Sequence, residues 1–320
     1  MTDIAIIIVS WNVCDLLTNC LRTVQVDLER SRLSGQIWVV DNASTDGTVA
    51  MLQRDFPGVQ LIASDKNLGF AAGNNTALRA MGFDTTSAKA LPDFVLLLNP
   101  DTEIHPGALK ELTDFMRHNP KAGVVGARLV YSDGSFQHSA FAFPGLCQLA
   151  IELLPLPGRL GESSLNGRYP PSLYENKQPF PIGHPLGAAL GARGEVIRQV
   201  GLMDEQYYMY VEEIDWTKRI RLAGWPAYCV PTAVITHFGG QSTGQIKTTS
   251  FVNLWTSRCT FYRKFYSPLK YWLAQQIVRA GMRRLTNRAR QTAAQGLLNQ
   301  TELDEQLTAY QQVVNIWYKA

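Results

Sequence analysis

Four short apolar runs, each closing on polar residues, constrain this chain more than any other feature: Ile4 to Val9, Ile37 to Val40, Val59 to Ala63 and Phe94 to Leu98. Continuous apolar runs without alternation suit strands covered on both faces, the usual condition of a parallel sheet. Between the first two, Leu16, Leu17, Cys20, Leu21 and Val24 recur at helical spacing. A second helix, capped from Thr45 or Asp46, runs through Phe56, and a third ends near Gly82. This strand and helix alternation predicts an α/β fold with a Rossmann-like, mostly parallel sheet and helices on both faces.

In open sheets of this kind ligands bind outside the carboxyl ends of the strands. The four exits carry Ser10, Trp11 and Asn12; then Asp41; then Asn67, Gly69, Gly73 and Asn74; then Asn99 and Asp101. This set suits a nucleotide better than a bare sugar. Asp41 can accept from the imide N–H of uracil or thymine, a donor that adenine's ring edge lacks, and its alternative use is an Asx turn within DNASTDG. Gly69 and Gly73 permit close backbone approach to a ligand or, alternatively, of helix to sheet. Asp101, at the end of FVLLLNPDTEI, can hold a divalent cation, Mg2+ or Mn2+, against a diphosphate; the alternative is an exposed acidic turn. After the first strand stands SWNVCD, not GxGxxG, which disfavours NAD and FAD. The same stretch lacks the glycine-rich basic loop expected of a nucleotidyltransferase.

Further on, Ala108 to His118 reads as a helix and Val124 to Val130 as a strand. Residues 144–185, rich in Pro and Gly, predict a long loop or lid. Leu186 to Arg193 is a small-residue segment suited to packing on a sheet or ligand, and His184 beside it is a candidate for acceptor contact. Glu212, Glu213 and Asp215 crowd beside Tyr207, Tyr208, Tyr210 and Trp216. Positions two apart do not share a helix face, so one carboxylate can act as general base while another orients Arg219, itself a candidate nucleotide-sugar contact, or the fold. The alternative is an acidic first turn favoured by the helix dipole. His237, at a late strand exit, can complete a metal site or serve the structure.

An apolar fraction of 46% and a charged fraction of 18% over 320 residues describe a folded protein. We divide it into a catalytic body, residues 1–250, and an extension, 251–320. The five cysteines, Cys14, Cys20, Cys147, Cys229 and Cys259, show no metal or disulfide pattern and fit a reducing compartment. MTDIAIIIVSWN lacks a basic n-region and reads as a strand, not a signal peptide. No apolar run reaches the roughly 18 residues that span a bilayer. Residues 258–290 hold nine of the 30 Lys and Arg and none of the 27 acids, so the remainder has 21 basic against 27 acidic residues, a net of −6. Aromatic residues interleave with those cations, a pattern suited to an anionic bilayer surface or to a helical pair packing its rings inward. Nucleic acid is disfavoured, because no other basic patch supports it.

Taken in order, IVSWN at 8–12, VVDNASTDGT at 39–48, NLGFAAGNN at 67–75, LLNPDTEI at 97–104, the stretch from Gly187 to Trp225 and HFGGQST at 237–243 resemble the family 2 glycosyltransferases with the GT-A fold. The resemblance is closest to the rhamnosyltransferase-like branch that builds bacterial cell-surface glycans. It implies an inverting transfer from a nucleotide-diphospho-sugar, with a divalent metal on the strand-end acidic motif. The usual Asp-x-Asp stands here as Asn99, Pro100 and Asp101, which makes Asp101 the metal ligand, and Asp41 matches the base-recognising Asp. The usual Glu-Asp-x-Asp reads Glu212, Glu213, Ile214 and Asp215, so Glu213 occupies the general-base position, one methylene longer, with Glu212 and Asp215 as alternatives. His237 matches a late His that approaches the metal or diphosphate. Branch similarity suggests dTDP-L-rhamnose as donor, with UDP- or GDP-sugars as alternatives, and a saccharide on a polyprenyl diphosphate as acceptor. That acceptor fits a cytoplasmic protein lying peripherally at the inner face of the cytoplasmic membrane, as a monomer or homodimer. A non-catalytic glycan-binding or scaffold protein on the same fold is the remaining alternative.

Overall fold

Local sequence preferences and long-range packing agree over most of the chain. The computed structural model describes residues 2–84, 91–239 and 247–319. The first half runs β1 (Ile4–Ser10), α1 (Cys14–Ser31), β2 (Gly35–Asp41), α2 (Thr48–Asp55), β3 (Gln60–Ala63), α3 (Gly69–Met81), β4 (Phe94–Leu98), β5 (Thr102–Ile104), α4 (Ala108–His118), β6 (Val124–Val130), β7 (Phe136–Gln137) and β8 (Ala140–Phe141). It continues through α5 (Leu146–Leu153), α6 (Pro171–Glu175), β9 (Phe180–Ile182), β10 (His184–Pro185), β11 (Ala189–Arg193), α7 (Gly194–Val200), α8 (Glu212–Leu222) and β12 (Ala227–His237). Three long helices follow: α9 (Lys247–Phe265), α10 (Pro268–Ala294) and α11 (Gln300–Lys319).

The main sheet has the order β3-β2-β1-β4-β11-β6-β12-β5. β1 pairs in parallel with both β2 and β4, β2 with β3, and β6 with β12. β11 runs against β4 on one side and β6 on the other, so β6 and β12 point the same way as β1 to β4. Their carboxyl ends therefore share one edge. Two apolar clusters cover the two faces. Ile6, Ile8, Leu96 and Leu98 meet α1 and α4 through Leu17, Leu21, Leu109 and Leu112, while Ala5, Ile7, Val95 and Leu97 share a cluster with Leu78, Val196, Trp216 and Ile220 of α3, α7 and α8. Ile6, Ile7 and Ile8 are all fully buried, which explains the unbroken apolar run, and each such side chain contributes about 1.5–3 kcal/mol.

The contacts divide the chain into two units, neither a continuous stretch. The first holds the sheet and comprises Met1–Phe143, Tyr169–Tyr208 and Glu212–Ser242; the second comprises Pro144–Arg168, Met209–Val211 and Thr243–Ala320. Residues 144–185 are thus not the long loop or lid expected. Leu149 and Leu153 of α5 are buried, and Gly281 of α10 lies against Leu153 so closely that a Cβ there would come within 2.6 Å. Pro and Gly density misleads here because the segment is made of short helices between turns.

The core of the second unit is aromatic. Trp255, Phe261, Tyr262 and Trp317 are fully buried, Trp317 Nε1 donates to the Trp255 carbonyl at 3.0 Å, and Tyr271 stacks on Trp317. Tyr262 donates to the Gly145 carbonyl at 2.8 Å. Most rings of the basic stretch therefore pack inward. Trp272, 53% exposed, does not.

Candidate functional site

The exits of β1 and β2 are tied together by side chains. Ser10 and Asp41 are register partners at the last rung of the parallel pair. Asn12 leaves β1 in the left-handed region, φ 52°, where its Oδ1 accepts from Thr45 N at 2.7 Å and its own N–H donates to Ser44 Oγ at 2.9 Å. Asp41 Oδ2 accepts from Ser44 N at 3.0 Å, which is the Asx turn the sequence admits. Its Oδ1 has no hydrogen-bond partner, although Asp41 is only 1% exposed. Ser10 Oγ and Asn42 Oδ1, both buried, are in the same condition. A buried carboxylate oxygen without a donor is costly, and a ligand N–H arriving there would remove that cost.

The exit of β3 is held by Asn67, whose Oδ1 accepts from Gly69 N at 2.9 Å and from Asn42 Nδ2 at 3.2 Å. Gly69 needs its missing side chain: φ is +78°, and a Cβ would lie 2.1 Å from the Tyr208 carbonyl. Gly73 lets α3 approach β1, where a Cβ would come 2.9 Å from Val9, and Asn74 donates to the Phe70 carbonyl within the helix. Gly73 thus takes the helix-to-sheet packing role, and Asn74 is held within α3. Trp11 is half-buried beside Asn12.

At the exit of β4, Asn99 N donates to the Ala188 carbonyl at 2.9 Å and Thr102 Oγ1 to the Asn99 carbonyl at 2.8 Å. Beneath this turn lies the buried Cys20, whose thiol is pushed up to about 12 by burial and stays neutral. Asp101 is 5% exposed, and its Oδ1 stands 3.5 Å from His237 Nε2, because β12 pairs with β5 so that His237 faces Thr102. His237 Nδ1 lies 3.2 Å from Gln137 Oε1 on β7. In the tautomer that donates from Nδ1 to the Gln137 amide oxygen, Nε2 presents its lone pair on the side of Asp101. In that tautomer two acceptors face each other. A cation between them relieves the repulsion, so these side chains fit a divalent metal, completed by phosphate and water oxygens. No third His, Cys, Asp or Glu joins them in a metal-holding group among the described residues. Gln137 was not legible in advance, since only the β6-β7 hairpin brings it to His237. The rest of the late motif, Gly240 to Thr243, lies outside the described residues.

The three carboxylates of α8 separate in role. Asp215 is fully buried, accepts from Tyr207 Oη at 3.1 Å and pairs with Arg219 Nε at 2.7 Å. Arg219 also donates to the carbonyls of Val200 and Leu202. These two residues form a structural clamp. Asp215, an alternative base, and Arg219, a candidate sugar-nucleotide contact, are thus each engaged by the fold. Glu212 is 4% exposed, whereas Glu213 is only half-buried. The Glu213 side chain passes Gly187, with Cγ 3.5 Å from where a Cβ would stand, and the neighbouring Ala188 carbonyl is the one that binds Asn99. The chain thus links the Glu213 stem to the Asp101 turn. His184 is buried and stacked on Phe141, and burial pushes its imidazole down to about 4, so the ring packs in its neutral form.

Residues 5–160 match the family described as glycosyl transferase family 2. The chain is 29% identical over 248 residues, 77% of its length and 79% of the relative's, to the N-acetylglucosaminyl-diphospho-decaprenol L-rhamnosyltransferase of Mycobacterium tuberculosis. Among solved structures it resembles the mannosyltransferase PcManGT from Pyrobaculum calidifontis in complex with GDP-Man and Mn2+, with a TM-score of 0.57 at 14% identity over 99% of this chain and 87% of that one. It also resembles GalNAc-T7 with UDP, GalNAc and Mn2+, with a TM-score of 0.53 at 13% identity, covering 73% of this chain and 42% of that one. At such identities the structural likeness speaks to the GT-A fold.

Proposed function

The chain belongs to glycosyl transferase family 2, and from that premise we propose that it moves L-rhamnose from dTDP-L-rhamnose, with inversion, onto a saccharide linked to a polyprenyl diphosphate. The observation that carries the donor reading is Asp41 Oδ1, a buried carboxylate oxygen that meets no donor at the strand edge where nucleotides bind. Thymine supplies one N–H at the ring position such an acceptor recognises. Ser10, Asn12 and Asn67 shape the pocket around it, and Gly69 lets the backbone pass close.

Glu213 is the base. It is the most exposed of the three α8 carboxylates, and its stem runs beside the Gly187-Ala188 segment that holds the Asn99 turn. In this reading it takes the proton of the attacking acceptor hydroxyl, and the sugar carbon inverts as the nucleoside diphosphate leaves opposite. Glu212 supports the start of the helix, and Asp215 with Arg219 fixes the rotation of α8. Asn99 orients the turn through its backbone. A divalent cation held by Asp101 and His237 would neutralise charge on the departing diphosphate.

Uracil offers the same imide N–H, so a UDP-sugar donor is the alternative. A donor panel decides between them: with metal and a lipid-linked N-acetylglucosaminyl acceptor, mass detection should find rhamnosyl product from dTDP-rhamnose ahead of any product from UDP-GlcNAc or GDP-mannose. Lack of preference for the deoxythymidine donor sinks the donor assignment.

A further inference from the structure

The second unit carries a stripe that neither its own packing nor the proposed chemistry uses. Leu269, Trp272 and Leu273, on the first two turns of α10, are 67%, 53% and 38% exposed. The helix already has an inward face in Ala274, Val278, Gly281 and Met282. Three large apolar side chains clustered on solvent are unusual in a surface that stays alone in water. Arg279 and Arg283, both exposed, continue the stripe along the helix. On a helix turning about 100° per residue, these five positions fall within an arc of about 120°.

The stretch that carries the stripe has charge of one sign, and its Arg258 pairs with Glu152 of α5. Residues 258–290, from the second half of α9 through most of α10, contain nine Lys or Arg and no Asp or Glu. Cations near the patch rest on rings: Lys270 Nζ lies 3.5 Å from the Tyr266 centroid, and the Arg279 guanidinium carbon 5.5 Å from that of Tyr318. Such stems lie along apolar surface while their charged heads stay in water.

We propose that this face of α10 docks on the surface of an anionic lipid bilayer, with Leu269, Trp272 and Leu273 at the boundary of headgroups and acyl chains and Arg279 and Arg283 over anionic headgroups. Charge complementarity selects the occupant. A two-fold contact with a second copy would set the same positive face against itself, and a nucleic acid backbone has little use for the aliphatic part of the patch. Indole suits the interface, and the combination of one apolar patch with a mainly basic surround is that of a helix lying in the membrane plane. Among the described residues no helix is long and apolar enough to cross a membrane. The inference stands on α10 and its surround, not on the donor or acceptor reading, so either can fail without the other.

The test uses the full chain in sedimentation with vesicles of phosphatidylcholine alone, or with roughly one-third phosphatidylglycerol, at low and high salt. Binding is expected only to the anionic vesicles and is lost at high salt. Arg279→Gln with Arg283→Gln should lower the partition coefficient about thirtyfold, from about fivefold per basic residue near such a surface. Leu269→Ser with Trp272→Ala should weaken retention while leaving far-UV circular dichroism and nucleotide binding unchanged, since both side chains are exposed. The proposal is overturned by absence of binding in the intact protein, by equal binding to neutral vesicles, or by indifference to both double variants. It is equally overturned if sedimentation velocity finds a dimer that Trp272→Ala dissolves while vesicles bind nothing, which assigns the face to a second copy.

Discussion

Replacing Asp41 with Asn probes the base-recognition argument with a change of one atom. Ser44 N–H donates to Oδ2 at 3.0 Å, so the amide must present its oxygen at that position to keep the turn. Its NH2 then takes the place of Oδ1, the buried atom that no protein donor touches. There it faces a thymine or uracil imide N–H with a second donor. A hydrogen bond to a charged acceptor contributes about 1.5–3 kcal/mol, which corresponds to about ten- to 150-fold in affinity. Titration calorimetry with dTDP and CDP should therefore show dTDP binding weakened by that factor. CDP should gain relative to dTDP, because cytosine offers an acceptor where thymine offers the imide proton. A folded Asp41→Asn protein that binds dTDP as the parent does would refute the reasoning, and with it the role of Oδ1.

The other predictions concern the second carboxylate group, the metal pair and the buried clamp. Glu213→Gln should abolish transfer but leave dTDP affinity within about twofold, whereas Asp101→Ala should abolish transfer and remove the metal-dependent part of nucleotide binding; calorimetry with and without Mn2+ separates them. Retained transfer by Glu213→Gln would move the base to Glu212. Asp215→Ala should destabilise the fold by about 3 kcal/mol, seen in urea unfolding, because it leaves Arg219 partly buried without its counter-charge. His184 predicts a pH effect: burial lowers its pKa from 6.5 to about 4, so the folded state refuses a proton that the unfolded chain accepts. Its contribution is whole above pH 6.5 and falls as pH drops toward 4, by up to about 3 kcal/mol. The urea midpoint should fall on acidification, and His184→Phe should flatten that slope.

Much of the first unit was legible because its strands are buried on both faces and its polar exits are sharp. Phe94 to Ile104 announces a parallel strand ending in an acidic turn, and β4 pairs with β1 as that pattern requires. Gly82 ends α3 where expected, since a left-handed backbone at a helix end leaves a mark in the sequence. Less visible was residue use. Gly73 looks like a ligand glycine but answers to Val9, and Arg219 looks like a substrate contact but answers to Asp215. Residues 144–185 read as a loop because turn residues dominate their composition, although the burial of Leu149, Leu153 and Tyr174 pins the segment down.

By itself the sequence determines the order of strands and helices through β4, the edge to which Asp41, Asn99 and Asp101 are delivered, and the one-signed charge of 258–290. Those are local properties: periodicity, β-branching, turn chemistry and charge count. Only the tertiary structure decides that His237 meets Asp101 across β12 and β5, that Gln137 lies against that imidazole, that Asp215 is buried against Arg219 while Glu213 is half-buried beside Gly187, and that Trp272 points out while Trp255 and Trp317 point in. Each of these joins residues that are distant in the chain or chooses one face of a helix. A polar side chain's role depends on which partners reach it first, and that is settled by packing.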